Sequence, residues 1–164
     1  MDALIKTLNI APSLAGDLSL LLLFIGVSIG LGFLLGRSRL ILILIDIYMA
    51  RALMTVLPAE WLSFSPYGGV LVFFLLFIGH FFIYRRLFDL HIYNMGTDFF
   101  WRILVMGILV TGLLMSSTLY FLPKKLALDF LSLSVYGYFA SSLALTLWML
   151  LPLVGLVFIN NRLK

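Results

Sequence analysis

Leu18–Gly36, 19 residues long, and Ile103–Leu122, 20 residues long, each carry no charged residue for the full depth of a membrane. A hydrocarbon core of about 30 Å needs roughly 20 helical residues to cross it. Inside lipid the backbone must satisfy its own hydrogen bonds, and only helices and closed barrels do so. No alternating barrel pattern runs through these stretches, so helices are expected. Composition agrees: 63% of the 164 residues are hydrophobic and 11% charged, against about a quarter charged in a soluble domain. The expected fold is all-α, a polytopic membrane helix bundle in one integral membrane domain covering residues 1–164, with the lipid bilayer as its solvent.

Three further stretches bring the expected number of transmembrane helices to about five, at 18–36, 40–57, 67–84, 103–122 and 136–159. The first resembles a signal peptide in position only. Its apolar run exceeds the usual core of about 7–15 residues and no small-residue cleavage site follows, so it reads as a retained span. A short amphipathic piece, Asp2 to Leu8, is expected ahead of it, ending near Pro12. The second is the weakest. Its ten Leu, Ile and Val residues favour insertion by roughly 3–6 kcal/mol, which Asp46 and Arg51 nearly cancel at about 2.5–3.5 kcal/mol each. By hydropathy alone it could loop back instead of crossing. The fifth lies in the uncharged stretch 130–159, where Pro152 removes a backbone donor and is expected to kink the helix.

Charge placement favours the crossing. With five spans, Arg37, Arg39, Arg85, Arg86, Arg102, Arg162 and Lys164 share one side, seven residues against Lys6, Lys124 and Lys125 on the other. With segment 40–57 re-entrant the split becomes five against six. The positive-inside rule therefore sets the N-terminus outside and the C-terminus in the cytoplasm. The basic residues punctuate apolar segments and form no patch, so nucleic acid is not an expected partner. Cysteine is absent, which removes disulfide and thiolate chemistry.

Helix packing is expected at Gly26, Gly30, Gly32 and Gly36, which with Ser28 make a stripe of small residues on the first span; such stripes let backbones approach closely. The short Arg37-Ser38-Arg39 turn is expected to fold the first two spans into an antiparallel hairpin. Similar contacts are expected from Gly107 with Thr111, and from Gly137, Ala140, Ser141 and Ala144. A homo-oligomer contact is the alternative use of these motifs.

The candidate intramembrane functional residues are Asp46, Arg51 and His80. Asp46 lies seven residues past Arg39, about 10 Å into the membrane at 1.5 Å per residue. A carboxyl at that depth is costly and marks a functional candidate, expected in its protonated form. The plainer reading is a structural hydrogen bond, through Ser116, Ser117, Thr118 or His80. Arg51 is five residues on, about 140° around the helix from Asp46, and is expected to snorkel outward. His80 alone suits hydrogen-bonded packing. The run Asp46-Ile47-Tyr48-Met49-Ala50-Arg51 echoes the opening of membrane phosphatidyltransferases, yet Ile47 replaces their glycine and the paired downstream aspartates are missing. A metal needs several converging oxygen ligands, so no metal, cofactor or catalytic site is expected. The segment Arg85–Tyr93, with His91, mixes basic and apolar residues and suits an interfacial helix on anionic lipid or a docking surface.

Two places resemble a known family. One is Gly30-Leu31-Gly32-Phe33-Leu34-Leu35-Gly36-Arg37-Ser38-Arg39-Leu40, a glycine-dotted span feeding a basic turn. The other is Met95-Gly96-Thr97-Asp98 leading through Arg102 to Gly107 and Gly112. Together they resemble the colicin V production protein family of bacterial membrane proteins over about residues 18–122. The chain departs from that pattern at Leu40, where a second glycine usually closes the turn, and in its fifth span with Trp148 and Pro152. The resemblance implies an accessory protein of the bacterial inner (cytoplasmic) membrane, linked to export and surface phenotypes, with no defined reaction. The function expected is thus a small non-enzymatic accessory or scaffold with a membrane-protein partner or itself as oligomer. The alternative is a small homo-oligomeric transporter or channel using Asp46.

Overall fold

Long apolar runs with few helix breakers give long helices, and breaks fall at Pro58, Ser65-Pro66, Pro123 and Ser141. A computed structural model of the protein describes residues 12–87 and 99–161. The described residues form helices joined by short turns, with no strand among them: α1 (Pro12–Val56), α2 (Ala59–Leu62), α3 (Gly68–Leu87), α4 (Phe99–Phe121), α5 (Lys124–Leu128), α6 (Leu133–Ala140) and α7 (Ser142–Asn161). The expected amphipathic piece at 2–8, the segment from Phe88 through His91 to Tyr93 and the Met95-Gly96-Thr97-Asp98 loop lie outside the described residues.

Helix α1 keeps helical backbone over 45 residues, which as a straight rod would measure about 67 Å. Its contacts do not allow a straight rod. Phe24 packs on Trp148, ring centroids 6.2 Å apart, while the Tyr48 hydroxyl donates to the carbonyl of Met149, the next residue. Twenty-four residues of straight helix would hold Phe24 and Tyr48 about 36 Å apart. The chain therefore reverses between Gly32 and Leu40, and α1 consists of two antiparallel arms. The expected three-residue turn is not a break in the helix: Arg37-Ser38-Arg39 keeps helical backbone. No proline or other residue there forbids helical dihedrals, so the ladder persists through the bend.

Both arms lie against α4. The first is seated by small residues: a Cβ on Gly107 would come within 2.5 Å of the Ser28 carbonyl and 3.6 Å of Gly32 Cα, and one on Gly32 within 3.1 Å of Ile103. Gly26 and Gly30 instead face open space. The second arm supplies the core. Leu40, Ile43, Leu44, Ile47, Ala50 and Met54 recur at helical spacing and are buried with Phe73 of α3 and Met106, Val110 and Leu113 of α4. Such a stripe turns one face of a helix into protein.

The last apolar stretch is two helices, α6 and α7, bent by 50° at Ser141. Residues 136–159 are therefore not one helix, as the sequence suggested. Ser141 takes extended dihedrals, its hydroxyl donating to the Gly137 carbonyl at 2.7 Å and accepting from the Ala144 amide at 3.1 Å. That hydroxyl satisfies backbone groups freed by the break, as capping residues do. Pro152 lies inside α7 and is buried. Trp148 secures the elbow: it stacks on Phe139 at 5.5 Å, donates from Nε1 to the Tyr138 carbonyl at 3.1 Å, and lies over Gly112, where a methyl group would overlap its ring.

Among the described residues, two stretches are long and apolar enough to cross a membrane, Gly16–Leu35 and Trp101–Phe121, and α6 with α7 makes a third if that bent pair is one span. The apolar part of α3, Gly68–Tyr84, is shorter. Replacing Gly107 with Ala should lower bundle stability by about 1–3 kcal/mol through overlap with the first arm. Gly30→Ala, with space around it, should leave stability within about 0.5 kcal/mol or raise it. Thermal unfolding of the two variants in one detergent distinguishes the filled position from the open one.

Candidate functional site

Asp46 stands on the buried stripe of α1, three residues after Ile43 and four before Ala50, and is fully buried. Neither carboxylate oxygen has a hydrogen-bond partner. His80 of α3 faces it, with Nδ1 3.7 Å from Oδ1. That distance allows electrostatic attraction but is too long for a hydrogen bond, and His80 Nδ1 is also unpartnered. The imidazole side chain keeps 21% of its surface accessible, and its ring centroid lies 6.4 Å from that of Tyr84.

The hydroxyl groups that could have served Asp46 are engaged elsewhere. Ser116 donates to the Phe139 carbonyl at 2.5 Å, Thr118 to the Leu114 carbonyl at 2.8 Å, and Ser117 Oγ accepts from Arg51 at 3.4 Å. Of the four partners considered from the sequence, the structure brings only His80 to the carboxylate.

Arg51 does not reach outward as expected. It is half-buried, and its guanidinium lies 5.2 Å from the Tyr120 ring centre and 5.5 Å from that of Phe121. Two ring faces and one hydroxyl offset part of the cost of removing a cation from water. Asp46 and Arg51 thus point into different surroundings, one toward α3 and the other toward the C-terminal end of α4.

No group of three or more His, Cys, Asp and Glu that could hold a metal ion occurs among the described residues. Comparison of the chain with protein-family models, with curated proteins and with solved structures gave no match. The contact missed from sequence is the pairing of Tyr48 with the Met149 carbonyl. Tyr48 lay within an apolar segment whose partner helix was unknown. The turn it caps sits beside Pro152, which donates no backbone hydrogen bond.

An unpartnered buried carboxylate contributes little to stability, and apolar replacements of buried charges are often neutral or stabilising. Asp46→Leu should therefore hold or raise the unfolding temperature. Arg51→Ala, which loses the Ser117 bond and both ring contacts, should cost about 1–2 kcal/mol. Unfolding curves in detergent test both.

Proposed function

We propose that the protein is a small non-enzymatic integral membrane protein, an accessory or scaffold component of a membrane assembly. The observation that carries this reading is the first arm of α1. Its window Gly16–Leu35 is the most apolar in the chain, yet only 11% of it is buried by the rest of the protein. Leu22, Leu23, Phe33 and Leu34 are exposed, and a side chain added at Gly26 or Gly30 would meet nothing within 4 Å. A scaffold needs a helix face it does not use itself. On the colicin V production resemblance, the assembly serves export or the cell surface of a bacterium, at its inner membrane.

In this reading the chain crosses about five times: the two arms of α1, α3, α4, and α6 with α7. Support comes from which residues meet at each end. Asp17 accepts from the Ser132 amide at 2.9 Å, and a Cβ on Gly69 would lie 3.2 Å from the Phe121 carbonyl. The opposite end joins Gly32 to Ile103, beside Arg39 and Arg102. Positive charge at that end makes it the cytoplasmic one, with the N-terminus outside and the C-terminus inside.

The absence of native cysteine allows a direct test of the crossings. Ser65→Cys and Lys125→Cys should react with an impermeant thiol reagent from outside, whereas Ser38→Cys and Arg162→Cys should not. If Ser38→Cys and Lys125→Cys share a side, segment 40–57 does not cross.

Asp46 supports a second reading, a small homo-oligomeric transporter or channel that uses the carboxyl as a polar site in its pathway. Intramembrane crosslinking in the native host, with mass spectrometry of the products, separates the two. A different membrane protein recovered at near-equal amount supports the accessory role. Recovery of the chain with itself, together with ion flux in vesicles that Asp46→Asn abolishes, supports the transporter.

A further inference from the structure

Asp46 and His80 place three unpartnered buried atoms, two carboxylate oxygens and one ring nitrogen, at the contact of α1 with α3. A native bundle rarely leaves such atoms without partners. A divalent cation would require more oxygen or nitrogen ligands than this pair supplies. A proton requires only these atoms.

The remaining charged and titratable positions on the packed helices are Asp17, Arg37, Arg39, Tyr48 and Arg51 on α1, Tyr84, Arg85 and Arg86 on α3, and Arg102 and Tyr120 on α4; α7 carries none between Ser142 and Phe158. Asp17 is bound to the Ser132 amide, Tyr48 to Met149 and Arg51 to Ser117. Among the described side chains, His80 is the group within ion-pairing distance of the carboxylate.

We propose that Asp46 and His80 together form a binding site for one exchangeable proton, loaded through His80. In the loaded state the proton rests on Asp46 beside a neutral imidazole, or on His80 facing a carboxylate. In the empty state a lone carboxylate faces neutral imidazole. His80 is the route of exchange because it keeps surface accessible where Asp46 keeps none. It also lies six residues before Arg86, about 9 Å along α3. Only the naming of that end as cytoplasmic rests on the orientation proposed above. Loading relieves an uncompensated charge at the α1–α3 contact, so the contact is more stable with the proton bound.

The test uses the full chain in lipid bilayers, in a His91→Gln background that leaves His80 as the one histidine. Infrared spectra read the carbonyl stretch of a protonated carboxyl, and nitrogen NMR reads a doubly protonated imidazole, from about pH 5 to 9, where coupled groups titrate as a pair. One of the two signals should be present at neutral pH and be lost as the pH rises. Asp46→Asn should change the pH dependence of the imidazole signal, and His80→Gln should change that of the carboxyl signal, because the two groups are coupled. If Asp46→Asn fails to fold, His80→Gln alone still reads the carboxyl. Absence of both signals at neutral pH, or titrations that ignore the partner substitution, overturns the site. Proton binding without flux across the vesicle sustains it and removes only the transporter reading.

Discussion

The close approach of α1 to α4 at Ser28, Gly32 and Gly107 organises this bundle. Without a Cβ on Gly107 the Ser28 carbonyl can rest against the α4 backbone. That contact holds the first arm beside α4 while the second arm returns along it. From this follow the shared contacts of Phe24 and Tyr48 with successive residues of α7. In lipid, where apolar surface drives little association between helices, such backbone proximity is a main source of specificity.

The bundle inverts the distribution of polarity found in water. The most apolar window, Gly16–Leu35, is at the periphery. The second arm of α1, which holds Asp46, Tyr48 and Arg51, supplies most of the core. Its insertion balance, near zero by composition, describes an isolated helix against lipid. Surrounded by α3, α4 and α7, each of its polar groups meets protein instead. Arg51 lies against aromatic faces and Tyr48 against a backbone carbonyl. Asp46 alone is left facing an imidazole across a gap.

Much of the helix pattern was readable from charge-free length and from breakers such as Pro58 and Pro123. The role of Ser141 was not. A serine in an apolar run is ordinarily accommodated by bonding back to its own helix, as Thr111 and Thr118 do here. Ser141 bonds back in the same way, to Gly137, and what accompanies its break is the anchoring of the two carbonyls just before Ala140, Ser116 to Phe139 and Trp148 to Tyr138. Arg37-Ser38-Arg39 marked the reversal by its charge, but nothing in it indicated that helical backbone would continue through the turn. For the site, the depth of Asp46 could be counted from Arg39, but its pairing with His80 depends on how α3 is rotated, which spacing within either helix does not specify. The aromatic surroundings of Arg51 needed the position of α4 in the same way.

The separation of Asp46 from His80 along the chain also sets a timetable for biogenesis. His80 is made 34 residues after Asp46, roughly 2–7 s at about 5–20 residues per second. During that interval the second arm has emerged with its carboxylate, while the helices that will enclose it have not. The strongly apolar first arm is already available as an anchor. The nascent hairpin must then be sheltered, by the insertion machinery or at the membrane surface, until α3 and α4 arrive.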